Sequence, residues 1–201
     1  MKRIGLLGGS FNPAHRGHRA ISLAAIRALG LDEVWWLVSP GNPLKDGKDM
    51  APLAIRLASA RAMSRNAPIR ATDIETRLRT RYTVDTLHKI VRRYPKNKFI
   101  WLMGGDNLAQ FHRWRDWRAI ARTMPIAVVA RPGYERQARA APAMGWFRRW
   151  QRPPNQAKSW TMWRKPALVL LRFRPDPTSA TAARKADPAW TKRFRAFSPD
   201  Q

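Results

Sequence analysis

The 201-residue chain contains no cysteine, which excludes a disulfide framework, a thiolate nucleophile and any cysteine-ligated metal. Acidic residues are scarce, 13 against 39 lysines and arginines, for a net charge of +26. Such an excess attracts anions, whether nucleic acid, anionic membrane or phosphorylated metabolites, and it informs on non-specific binding rather than on fold. No long uncharged apolar run occurs, so no transmembrane helix is expected. The start, Met1-Lys2-Arg3 followed by Ile4 to Leu7, resembles a secretion signal only in its first residues, because Asn12, His15 and Arg16 follow at once. Together these features suit a cytoplasmic protein. The dinucleotide fingerprint Gly-x-Gly-x-x-Gly is absent, as are internal repeats.

What is present alternates. Short apolar runs at 4–7, 34–38, 69–72, 99–103, 126–130 and 167–172 read as strands. Helical patterns at 17–29, 53–63, 84–91, 117–123 and 179–185 lie between or after them. Strand and helix in alternation imply parallel strands with right-handed crossovers, and continuously apolar strands imply burial on both faces. The expected architecture is a Rossmann-like, doubly wound parallel α/β sheet with flanking helices. One domain over 1–196 is expected, with a basic insertion at about 132–166 and a frayed tail at 197–201. The insertion is rich in Arg, Pro and Trp; it reads as one helix carrying Met144, Phe147 and Trp150 on a face, then a loop.

Ligands of such sheets bind beyond the carboxyl ends of the strands, at a topological switch point. The turns at 8–18, 39–45 and 104–107 are therefore where chemistry is sought. Gly8-Gly9-Ser10-Phe11-Asn12-Pro13-Ala14-His15-Arg16-Gly17-His18 leaves the first strand and enters a helix. Glycines permit close approach of a ligand, and the helix start offers N–H groups to an anion. His15 and His18, three residues apart, can face one object, and imidazole N–H groups suit a phosphate chain. A metal bound by this pair would need further ligands, which the composition hardly supplies.

This segment resembles the signature of the HxGH nucleotidylyltransferases, whose members often carry Asp where this chain has Asn12. The remainder resembles nicotinate-nucleotide adenylyltransferase. Arg81 to Leu87 matches its Tyr-Thr-x-x-Thr-Leu segment, and Trp101 to Asn107 matches its strand ending in Gly-x-Asp. Phe111-His112-Arg113-Trp114 matches the segment whose tryptophan stacks on a pyridine ring, and Pro132-Gly133-Tyr134 is also typical. Thr178 to Arg184 resembles the superfamily's Ile-Ser-x-Thr-x-x-Arg signature in degraded form, with Thr178 in place of Ile.

The resemblance implies adenylyl transfer from ATP to nicotinate mononucleotide, by in-line attack of the mononucleotide phosphate on the α-phosphorus without a covalent intermediate. His15, His18 and Arg184 are the implied catalytic residues. Gly8, Gly9, Ser10, Phe11, Gly17, Ser179 and Thr181 are implied to join them in binding ATP. Asn42, Lys45, Tyr82, Thr83, Asp106 and Trp114 are implied to bind nicotinate mononucleotide. Mg2+ is expected to travel with ATP, and neither a membrane nor a specific nucleic acid is an expected partner. The alternatives are another HxGH enzyme, with phosphopantetheine or nicotinamide mononucleotide as acceptor, or a basic nucleic-acid-binding protein motivated by the charge and ten tryptophans.

Overall fold

The computed structural model describes residues 1–41, 50–130, 135–172 and 178–197. Seven parallel strands form one sheet. They are β1 (Arg3–Gly9), β2 (Glu33–Val38), β3 (Ile69–Thr72), β4 (Lys98–Gly104), β5 (Ile126–Ala130), β6 (Gln151–Arg152) and β7 (Leu168–Arg172). Their order across the sheet is β3-β2-β1-β4-β5-β7-β6. The sequence runs outward in one direction from β1 to β3 and in the other from β4 through β5 to β7, with β6 at the edge beyond β7, so the switch point lies between β1 and β4. Leu7 of β1 pairs with Leu102 of β4. The turn after Gly9 and the helix that starts directly at Gly105 therefore flank one crevice.

Burial on both faces follows from the alternation of side chains along each strand. Trp35 and Leu37 of β2 and Phe99, Trp101 and Met103 of β4 join one core cluster. Val34, Trp36 and Val38 of β2 and Ile100 and Leu102 of β4 join the other. The helices divide between those faces. α1 (Arg16–Leu29) and α2 (Leu53–Ser64) cover the second. The first is covered by α3 (Ile74–Arg77), α4 (Thr83–Arg93), α5 (Gly105–Gln110) and α6 (Trp117–Thr123). α7 (Glu135–Ala140) and α8 (Pro142–Phe147) follow β5, and α9 (Ala180–Ala186) follows β7. Among the described residues no helix is long and apolar enough to cross a membrane.

The six expected strands and five expected helices are all present, displaced by at most a few residues. The segment 132–166 differs from its reading as one helix and a loop. Its described part, 135–166, forms two short helices, the edge strand β6 and 3-10 turns at Arg148–Trp150 and Pro154–Met162. Phe147 is fully buried and Trp160 is 2% exposed, each packed into a core on its own face of the sheet. Trp160 Nε1 donates to Leu29 O at 3.1 Å, and Arg3 Nη2 donates to the same carbonyl at 2.8 Å. Leu29 ends α1, so both donors satisfy a carbonyl the helix leaves unpaired. Proline and arginine mask this in the sequence, because the few apolar residues that anchor the segment lack a regular period. A 3-10 helix at Trp190–Phe197 was also not anticipated; its Trp190 is buried.

Trp160→Ala removes a large buried side chain and the donor to Leu29, and should cost about 3–5 kcal/mol. A urea denaturation curve with a single, lowered midpoint is the expected result. An unchanged midpoint would mean that residues 132–166 are an appendage, separate from the folding unit.

Candidate active site

The turn after β1 is built around a buried aromatic. Phe11 adopts φ +47°, a left-handed conformation that a bulky residue rarely takes, and its ring is 1% exposed. It stacks on Trp36 at 5.0 Å and tilts against His18 at 4.6 Å. Trp36 is held in turn by a hydrogen bond from Nε1 to Ser22 Oγ at 2.8 Å, and Ser22 Oγ donates to His18 O at 2.9 Å. The strained turn thus plants an aromatic wedge beneath His18. The Phe11 ring is buried in that packing.

The two histidines take different places. His15 is the N-cap of α1 and only 6% exposed, whereas His18, in the first turn, is half-buried. Their rings lie 3.8 Å apart. His15 N–H donates to His18 Nδ1 at 3.2 Å, which leaves the ring proton of His18 on Nε2. The expected pair therefore comprises a buried ring and a more open one. Gly17 between them is obligatory. A Cβ there would lie 2.8 Å from Thr178 O and 2.9 Å from the His15 ring. Gly8 is equally constrained, since a Cβ would meet Trp101 Cη2 at 2.6 Å.

The C-terminal motif closes on the same turn. Arg184 Nη1 of α9 donates to Asn12 O at 2.7 Å across 172 positions of sequence. Ser179 is the N-cap of α9, its Oγ accepting from Ala182 N at 3.1 Å, and Thr181 is exposed in the first turn. Asn12 Oδ1 accepts from Ala51 N at 3.2 Å, so its side chain ties the turn to the entry of α2.

The acceptor-side candidates gather on the other flank of the crevice. Tyr82 caps α4 and Thr83 opens it, both half-buried. Trp114 is half-buried against Trp101 at 6.2 Å and Phe111 at 5.4 Å, both edge-on. Arg115, next to Trp114, lies 4.5 Å over the Tyr82 ring, which brings the two segments together. Asp106 is exposed in the first turn of α5, just beyond the end of β4. Asn42, Lys45 and the Pro132-Gly133-Tyr134 segment lie outside the described residues.

Two charged residues that sequence reasoning passed over hold the crevice together. Arg56 of α2 is 1% exposed. Its Nη1 donates to Ser10 O and Ser39 O, each at 2.7 Å, its Nε to Ala51 O at 2.7 Å and its Nη2 to Pro40 O at 3.3 Å. Burial lowers its pKa from the ordinary arginine value. Glu75 of α3 is 8% exposed. Burial pushes its carboxyl up to about 7, against the opposing effect of a hydrogen bond with the Ser39 side chain. Its carbonyl accepts from Thr80 N at 3.0 Å and Thr80 Oγ1 at 3.3 Å. Thr80 and Thr86 share a 2.8 Å hydroxyl contact, and Thr86 Oγ1 donates to Tyr82 O at 3.2 Å. Glu75 thus joins the end of β2 to the turn that carries Tyr82. A charged residue between Ile55 and Leu57, and another beside Ile74, were the available signals.

A carboxyl whose pKa is raised by folding binds its proton more tightly in the folded state. Its contribution to stability is complete at low pH and is lost as pH rises through about 7. Glu75→Gln keeps a neutral hydrogen-bonding group and should be more stable than the parent at pH 8, by on the order of 2–3 kcal/mol, with little difference at pH 5. Parallel stability curves for the two proteins across that range would remove Glu75 from this role.

Comparison with known proteins agrees with this geometry. A family model described as cytidylyltransferase-like matches residues 6–186. A protein of Erythrobacter litoralis named a probable nicotinate-nucleotide adenylyltransferase is 62% identical over 193 residues, covering 96% of this chain and 88% of its own. A protein of Parvibaculum lavamentivorans with the same name is 48% identical over 191 residues, covering 95% and 94%. The fold is shared with the Plasmodium falciparum nicotinic acid mononucleotide adenylyltransferase solved in complex with NaAD, at a TM-score of 0.66 and 17% identity over 92% of this chain and 83% of that one. The chain therefore belongs to the cytidylyltransferase-like family and, within it, to the nicotinate-nucleotide adenylyltransferases.

Proposed function

We propose that this protein joins the AMP part of ATP to nicotinate mononucleotide, giving nicotinate adenine dinucleotide and pyrophosphate, a step of NAD biosynthesis in the cytoplasm. The observation that carries the reading is the bond from Arg184 to the Asn12 carbonyl. It sets the basic C-terminal motif against the His18 turn, where the start of α1 also presents N–H groups. A triphosphate is the ligand such a convergence suits.

The acceptor phosphate is already anionic at neutral pH, its second pKa being near 6, so the reaction needs no protein nucleophile. Catalysis then reduces to alignment and charge neutralisation. His18 donates Nε2–H to the triphosphate, and Arg184 neutralises the charge that develops on the leaving pyrophosphate. Ser179 and Thr181 add hydroxyls from the first turn of α9. His15, buried beside His18, orients its neighbour. Gly8, Gly9, Ser10 and Gly17 let the chain approach the nucleotide closely. Mg2+ accompanies the ATP phosphates and is held mainly by them. Among the described residues no group of three or more His, Asp or Glu converges to hold a metal.

On the acceptor side Trp114 stacks on the pyridine ring. Tyr82 and Thr83, at the start of α4, receive its carboxylate. Asp106 binds ribose hydroxyls, and Asn42 and Lys45, which follow β2 in the sequence, complete the mononucleotide contacts.

Pyrophosphate release measured with nicotinate mononucleotide, its amide and phosphopantetheine as acceptors tests the assignment. The nicotinate compound should give the highest kcat/KM, and a preference for either other acceptor would overturn the reading. Within the site, His18→Ala should lower kcat by about 10²–10³. The KM for nicotinate mononucleotide should change little, and an unchanged kcat would take His18 out of the mechanism.

A further inference from the structure

Beyond the crevice, the aromatic packing continues outward. Trp117 of α6 meets Trp146 of α8 at 5.1 Å, and Trp146 meets Trp150 at 4.4 Å. Each of these indoles is half-buried and carries an exposed guanidinium. Arg118 lies 4.7 Å over Trp117, and Arg149 lies 4.7 Å over Trp150. Arg118 and Arg122 each lie 6.0 Å from the Trp146 ring. The ion pairs among the described residues are Lys2–Glu33, Arg77–Asp73, Arg115–Asp116 and Arg193–Asp187. None of them neutralises these three arginines.

Small phosphorylated substrates bound in the crevice have no use for this face. It offers uncompensated cations for phosphates and three successive aromatic-guanidinium platforms on which two or three bases can stack. A bilayer fits it poorly. The exposed large hydrophobic residues of the described chain are Met1 and Met162, and neither lies in the patch. An acidic protein would satisfy the charge but leave the ring platforms unused. We propose that the α6–α8 face binds single-stranded RNA without sequence preference, as a function separate from adenylyl transfer. RNA is the single-stranded polyanion a cytoplasmic protein meets in quantity. The net charge of +26 supplies attraction at a distance, and the patch supplies the place of contact.

The test uses the full chain and fluorescein-labelled 20-nucleotide uridine RNA, read by anisotropy at several salt concentrations. Arg118→Ala with Arg149→Ala should weaken binding at least tenfold at 150 mM salt, and flatten the slope of log K against log salt by roughly one to two. Adenylyl transfer should remain at the parent rate, which shows that the variant is folded. Arg27→Ala with Arg61→Ala removes the same charge from exposed positions on α1 and α2, and should weaken binding less than threefold. Indole fluorescence should fall on RNA binding, and less so in Trp150→Ala. Equal weakening by the two arginine pairs would overturn the proposal, because the binding would then follow net charge alone. Tighter binding of duplex RNA, of oligo-dT or of anionic vesicles would overturn it as well.

Discussion

A single buried guanidinium holds the ligand edge of this sheet in register. Arg56 gathers carbonyls from the turn after β1, from the end of β2 and from the entry to α2. Each of those carbonyls lies where the chain leaves regular structure and would otherwise need water or a side chain as donor. Among the described residues no carboxylate pairs with Arg56, so desolvation opposes its charge and its hydrogen bonds offset that cost. The arrangement is an all-or-none one. Losing one carbonyl leaves a buried charge under-solvated, and losing the arginine leaves several carbonyls unpaired at once.

With the edges of two loops fixed, the strained turn at Phe11 becomes affordable. A left-handed phenylalanine persists only where its surroundings over-determine it. Here Trp36 stacks on the ring, His18 tilts against it, and the Trp36 and His18 rings meet edge-on at 6.0 Å. The same packing fixes the His18 imidazole, and the His15 N–H selects its tautomer. In the proposed reaction His18 is therefore pre-oriented by its packing against Phe11 and Trp36. Such preorganisation is what electrostatic catalysis requires, since donors that must reorient during reaction lose much of their benefit. Asn12 fits this picture. Its side chain binds Ala51 and its carbonyl binds Arg184, so it serves as a tie, and it adds no negative charge beside the expected phosphates.

On the opposite flank the linkage runs through Glu75, Thr80 and Thr86 to the carbonyl of Tyr82. This relay connects the β2 edge, held by Arg56 through Ser39, to the cap of α4. The two halves of the crevice thus share one anchor residue, Ser39. It presents its carbonyl to Arg56 and its side chain to Glu75.

The linear sequence determined the parallel α/β architecture, because apolar runs of strand length alternating with helical periods admit few other packings. It also carried the family motif, whose eleven residues from Gly8 to His18 are consecutive and so visible without folding. Only the tertiary structure decided which residues of that turn are buried and which are more open. Exposure of His15 against His18, or commitment of Phe11 to the core, depends on Trp36, Thr178 and Ser22, which lie far along the chain or a helical turn away. The anchoring roles of Arg56 and Glu75 and the coreward place of Trp160 escaped the sequence for the same reason. Their partners are backbone carbonyls or hydroxyls contributed by other elements, and a carbonyl leaves no mark in a string of side chains.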